Sequence, residues 1–99
     1  MTDSAKQDDR VRAEVFISGR VQGVFFRSST RKRANSLGID GYVRNRNDGR
    51  VEAVFEGPEQ DVKQIVSWCH EGPRSARVES VDIEWTDPTD EFSGFSVRY

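Results

Sequence analysis

The stretch Ser18-Gly19-Arg20-Val21-Gln22-Gly23-Val24-Phe25-Phe26-Arg27 joins two kinds of periodicity, and the rest of the chain is read outward from it. Before it, Val11, Ala13, Val15 and Ile17 alternate with polar residues, Phe16 being the one apolar residue on the other face, which is the pattern of a half-buried strand. After it, Phe26, Thr30, Ala34 and Leu37 recur at helical spacing, and Gly38 supplies a stop with Ile39 placed to fold back on Ala34. The junction itself is a loop bracketed by Gly19 and Gly23. Glycine relieves the steric limits on φ, so consecutive backbone N–H groups can turn inward on an anion. The helix that follows adds its unpaired N–H groups and the positive end of its dipole. Arg27 in the first turn opposes that dipole, and a bound anion cancels the conflict. The stretch therefore predicts a phosphate-sized anion site.

Beyond Gly38, a second strand is expected over about Asp40 to Arg46, then a tight turn at Asn47-Asp48-Gly49, then a third strand with Val51, Ala53 and Phe55 on one face. Gly57-Pro58-Glu59 opens a second helix, where Val62, Ile65, Val66 and Cys69 form one buried stripe, and Gly72-Pro73 ends it. Val81, Ile83 and Trp85 alternate in a fourth strand, and Phe95, Val97 and Tyr99 in a short last one, with the polar loop Thr86 to Ser93 between them. The order β-α-β-β-α-β predicts an α+β, ferredoxin-like sandwich: an antiparallel sheet with two helices packed on one face.

Ninety-nine residues suit one domain, expected over residues 11–99, preceded by a flexible polar tail over residues 1–10 without the apolar core of a signal peptide. Apolar residues make up 34% and charged residues 32%, so a small core must support a heavily charged surface. No apolar run approaches the roughly 20 residues of a membrane span. Cys69 is the only cysteine, which rules out an internal disulfide and favours a reducing, cytoplasmic setting. With His70 the only histidine, no His/Cys metal cluster can be assembled. The net charge of −2 gives no general attraction to nucleic acid or to an acidic membrane.

Gly19 through Arg27, then Gly38, Gly41-Tyr42-Val43-Arg44-Asn45 and Asp48-Gly49, resemble the signature of the acylphosphatase family, and the resemblance runs from about Val11 to Tyr99. Tyr42 departs from it, standing where many members carry tryptophan, beside the site residue rather than on it. The resemblance implies a small cytosolic enzyme that hydrolyses the carboxyl-phosphate bond of small-molecule acyl phosphates, without metal or cofactor. It implies that the backbone N–H groups of Gln22, Gly23, Val24, Phe25 and Phe26, together with Arg27, hold the phosphoryl group. It implies that Asn45 orients the attacking water and that the substrate phosphate serves as base. A rate that is flat across neutral pH fits that base. A monomer is expected, with neither nucleic acid nor membrane as partner.

Chemistry makes sense of these residue types independently. Arginine matches two phosphate oxygens with one planar fork, and a carboxamide can accept from a water while donating to a neighbouring oxygen. Taken singly, Asn45 reads as a turn residue and Arg12, Arg50, Arg74 and Arg98 as solvated charges. Gln22 reads equally as a phosphate contact or as loop surface, the side chains of Phe25 and Phe26 as packing, and Trp85 as sheet packing with Trp68 partly exposed. Arg31, Lys32 and Arg33 read as cations suited to the helix end. Two other classes share the topology. An RNA-recognition module would need paired aromatics on the third strand, where Glu52 and Glu56 stand instead. A phosphate-binding regulatory domain would keep the loop without turnover.

Overall fold

The computed structural model describes residues 9–99. The tail expected over residues 1–10 lies outside the described residues except for Asp9 and Arg10, and Arg10 already belongs to the first strand. The elements are β1 (Arg10–Arg20), α1 (Phe26–Leu37), β2 (Asp40–Asn45), β3 (Val51–Pro58), α2 (Glu59–Cys69), β4 (Arg77–Thr86) and β5 (Phe95–Arg98). The sheet order is β4-β1-β3-β2-β5. The pairs β1–β3, β1–β4 and β2–β3 are antiparallel, as expected of the ferredoxin-like arrangement. β5 is the exception. It pairs with β2 in parallel, Gly41 opposite Phe95 and Val43 opposite Val97, so the whole sheet is mixed. After β4 the chain reverses through the Thr86–Gly94 connection and so enters the free edge of β2 running in the same direction.

One face of the sheet carries the core. Ala13, Val15 and Ile17 of β1, Val43 of β2 and Val51, Ala53 and Phe55 of β3 are fully buried with Phe26, Thr30 and Ala34 of α1 and Val62, Ile65, Val66 and Cys69 of α2. Phe55 and Phe95 stack with ring centroids 5.5 Å apart, and Phe26 meets Trp68 across the two helices at 5.5 Å. The second helix starts as its composition dictates, with Pro58 at the N-cap and the acids Glu59 and Asp61 in the first turn. The first ends at Gly38, φ 70°, where the Ile39 N–H donates to the Ala34 carbonyl at 2.9 Å and the Gly38 N–H to Asn35 at 3.2 Å.

The opposite face is not bare. Every residue of β3 from Val51 to Gly57 is buried, Glu52 and Glu56 included, because charged neighbours and the Thr86–Gly94 connection cover them. Glu56 is 0% exposed. It accepts hydrogen bonds from Arg12 Nη1 at 2.8 Å, from the Thr89 N–H and hydroxyl at 2.9 and 3.1 Å, and from the Asp90 N–H at 3.0 Å. Glu52 accepts from Tyr42, Arg44 and Arg46. Arg12 is thus no solvated charge, which corrects the sequence reading. Its strand, β1, is interior to the sheet, and a guanidinium there is covered once a carboxylate lies opposite. Arg50 likewise pairs with Asp48, and Arg98 lies 4.0 Å over the Tyr42 ring. Trp85 is 47% exposed rather than packed, since β4 is an edge strand. Among the described residues, no helix is long and apolar enough to cross a membrane.

Candidate active site

The site forms where β1 hands over to α1. Two glycines shape the approach. β1 carries a register shift against β4 at Ser18/Gly19, and Gly19 has φ 126°, with a Cβ there meeting the Arg77 carbonyl. Gly23 has φ 74°, and Phe25 adopts φ 67°, the left-handed region that a bulky side chain rarely enters. The loop is nevertheless firmly held. Val21 and Val24 are buried in the core, Ser75 Oγ donates to the Val24 carbonyl at 2.8 Å, and Gln22 Nε2 donates to the carbonyls of Arg46 and Arg50 at 2.8 and 2.9 Å. Gln22 is therefore neither a loose surface group nor a side-chain phosphate ligand. It is a strut between the loop and the β2–β3 hairpin.

That hairpin is itself braced. The Arg46 N–H donates to the Arg50 carbonyl at 2.8 Å, Gly49 turns at φ 93°, and Asp48 accepts from the Arg50 N–H at 3.0 Å. The Arg50 side chain and backbone, and then Arg46, hold the Asp48 carboxyl well below the usual carboxylate range. Loop and hairpin together place the end of β2 beside the start of α1.

The helix start is open. Phe25 at the N-cap makes no side-chain capping bond, no acidic residue stands in the first turn, and the first helical hydrogen bond runs from the Ser29 N–H to the Phe25 carbonyl at 3.1 Å. Among the described residues, the N–H groups from Gln22 to Phe26 find no protein acceptor. Unpaired backbone donors near a helix N-terminus favour an anion.

A cavity of about 350 Å³ opens here, lined by Gly23, Phe25, Phe26, Arg27 and Asn45 among the expected residues. Gln22 and Val24 do not line it; their side chains hold the loop from behind. Phe26 is buried as expected, but Phe25 is 76% exposed at the cavity mouth, not packed, because its left-handed backbone turns the side chain out of the core. Arg27 has no carboxylate partner among the described residues, and its guanidinium lies 4.9 Å over the Tyr99 ring. Asn45 Oδ1 is the one buried side-chain nitrogen or oxygen among the described residues without a hydrogen-bond partner. Such an atom costs about 1–3 kcal/mol when left unmade. Asn45 lines the cavity that Arg27 also lines. The lining holds no acidic side chain, histidine or thiol, and among the described residues no group of His, Cys, Asp and Glu could hold a metal ion.

Val97, Tyr99, Ser28 and Arg31 also line the cavity and were not singled out from sequence. Val97 and Tyr99 arrive through the parallel pairing of β5, which no local pattern announces. Arg31 was findable, since it follows Arg27 by four residues on one helix face. It sits in the middle of α1 rather than in the last turn, which holds no basic residue. Cys69 is buried on α2, where burial pushes its thiol up to about 12, and His70 follows on the surface; neither lines the cavity.

The acylphosphatase family model matches residues 13–97. The chain is 60% identical over 89 residues to an acylphosphatase of Roseiflexus sp. (strain RS-1), covering 90% of this chain and 96% of that protein. Among solved structures it is similar to an acylphosphatase from Coxiella burnetii, with a TM-score of 0.85, 39% identity and coverage of 91% and 94% of the two chains. It is also similar to the acylphosphatase from Bacillus subtilis, with a TM-score of 0.86, 31% identity and coverage of 90% and 99%. With a family model matched over nearly all of its length and relatives this similar over nearly all of theirs, this chain belongs to the acylphosphatase family, whose members are hydrolases.

Proposed function

We propose that this protein hydrolyses the carboxyl-phosphate bond of small-molecule acyl phosphates to carboxylate and inorganic phosphate, with residues 11–99 acting as one catalytic domain. The backbone N–H groups of Gln22 to Phe26 and the guanidinium of Arg27 hold the phosphoryl oxygens. Asn45 orients the attacking water, and the substrate phosphate takes the proton. A phosphoryl group in flight spreads charge over its equatorial oxygens, so fixed donors supply most of what the reaction needs. Arg27 suits that charge because it is always protonated and offers a planar fork. The Asn45 carboxamide can accept from water through Oδ1 and fix it in line.

The observation that carries this reading is that Asn45, whose buried Oδ1 has no hydrogen-bond partner, lines the same cavity as an arginine without a carboxylate. A general base is not called for, since the carboxylate leaving group is good and no titratable group of neutral pH lines the cavity. Of the alternatives, an RNA-recognition surface is disfavoured by the ion-paired Glu52 and Glu56 on the outer face of β3. The expected setting is the cytoplasm, with the chain monomeric; the unpaired, buried Cys69 supports a reducing compartment.

The test is hydrolysis of benzoyl phosphate with chelator present, for the wild type and Asn45→Ala. Metal-free turnover that falls about 10²–10³-fold in kcat in the variant, with KM little changed, is the expected result. Near wild-type turnover by folded Asn45→Ala removes the water-positioning role. Absence of turnover by the folded wild type leaves a phosphate-binding module as the better reading.

A further inference from the structure

A cradle of backbone N–H groups and one arginine recognises the phosphoryl end of a substrate and says nothing about its carboxylic end. The charges beyond Arg27 do. Arg31 lines the same cavity four residues on, a spacing that brings Cβ atoms on a helix within about 5–6 Å. The helix Phe26–Leu37 carries Arg27, Arg31, Lys32 and Arg33 and no acidic residue. Among the described residues, none of these four forms an ion pair. On the opposite face of the sheet, by contrast, Arg12, Arg44, Arg46 and Arg50 are each held by a carboxylate. In a chain of net charge −2, the helix is a local surplus of positive charge. Its members differ in what they touch. Arg27 stacks over Tyr99 and Arg33 lies 4.7 Å over the Trp68 ring, away from the cavity. Arg31 has neither a carboxylate nor an aromatic partner among the described residues and is exposed. It is an uncompensated cation at the wall of a cavity whose lining contains no acidic side chain.

We propose that Arg31 determines substrate preference, favouring acyl phosphates whose carboxylic portion carries a second anionic group, a carboxylate or another phosphate. The proposal rests on the acyl phosphate hydrolysis argued above. Once the phosphoryl group occupies the loop and Arg27, a second anion extending along the helix meets Arg31 with no acidic side chain of the helix or the cavity lining to repel it. That group lies away from the breaking bond, so its contact is equal in ground and transition states. It lowers KM and leaves kcat alone. An exposed charge pair is weak, so the preference is about 2–5-fold, and it shrinks with added salt.

The experiment compares benzoyl phosphate with 4-carboxybenzoyl phosphate, which share a shape and differ by one carboxylate, in the wild type, Arg31→Ala, Arg31→Glu and Arg33→Ala. Expected is a KM ratio favouring the carboxylated substrate in the wild type. The ratio falls to about one in Arg31→Ala and inverts in Arg31→Glu. Arg33→Ala keeps the wild-type ratio, although it removes the same charge from the same helix. A wild-type ratio of one, or equal loss of preference in Arg33→Ala and Arg31→Ala, overturns the proposal while leaving hydrolysis intact. Folded wild type that turns over neither substrate overturns the hydrolysis reading itself.

Discussion

Asn45 and Arg27 are two side chains that the fold itself leaves short of polar partners. Arg27 stands one residue into a helix whose dipole it opposes, and it has no carboxylate to offset that cost. Asn45 keeps a buried oxygen without a donor. In the proposed function both debts are settled by a bound phosphoryl group and its water. Arg27→Ala should therefore lower kcat/KM by about 10³-fold or more and weaken inhibition by inorganic phosphate. Arg27→Lys should recover only a small part, because an ammonium cannot span two oxygens with a planar fork. Both variants should melt at or above the wild-type temperature, since an unfavourable first-turn charge is removed in one and merely kept in the other. Full recovery of activity by lysine would show that charge alone, not fork geometry, is used.

At the scale of elements, the cavity depends on how close backbones approach. Gly41, the second residue of β2, has φ 139°, and a Cβ there would overlap the Val54 carbonyl of β3. Its N–H also donates to the Gly94 carbonyl at 3.0 Å, tying β2 to the entry of β5. Gly41→Ala must push β2 from β3 while straining its own backbone, at a cost of about 1–3 kcal/mol. Because β2 carries Asn45 and β5 carries Val97 at the cavity, the same variant should also lower kcat in the fraction that stays folded. Denaturant unfolding and steady-state rates on one preparation read both effects. Unchanged stability would mean that the two strands have slack which their register does not suggest.

The molecule as a whole is held by a helical core on one sheet face and by buried charge on the other, and the second makes its stability depend on acid. Burial raises the Glu56 carboxyl, but bonds from the Thr89 N–H, Arg12, the Asp90 N–H and the Thr89 hydroxyl outweigh it, and the group ends below its ordinary value. Glu52 behaves alike, with burial opposed by Tyr42, Arg44 and Arg46. A carboxyl lower in the folded chain than in the unfolded one, where glutamate titrates near 4.3, adds stability that is present above that pH and lost as pH falls through the folded value. Melting temperature should thus be level above about pH 5 and fall below about pH 4. Glu56→Ala should cost about 3–5 kcal/mol at neutral pH, because it leaves Arg12 only the more exposed Glu14 and strips the Thr89 and Asp90 N–H groups of their acceptor, and should flatten the acid limb. An acid limb as steep in the variant as in the wild type would assign the effect to other carboxyls.

What the chain settles by itself is whatever depends on neighbours in sequence. The two periodicities, the Gly38 stop, the proline and acids at the head of α2 and the glycine turn after Asn47 all act within a few residues. They are legible there, and with them the element order and the loop before Arg27. Asn45 was legible only in company, since alone it reads as part of a turn. Tertiary structure decided what depends on distant segments meeting. It set β5 parallel to β2, which brings Val97 and Tyr99 to the cavity, and made Gln22 a strut to the hairpin carbonyls. It buried Arg12 with Glu56 under the Thr86–Gly94 connection. It also turned Phe25 out at φ 67°, where composition suggests a packed ring. In the first three cases the deciding energy is a contact between residues tens of positions apart, and such contacts exist only once the chain has closed on itself.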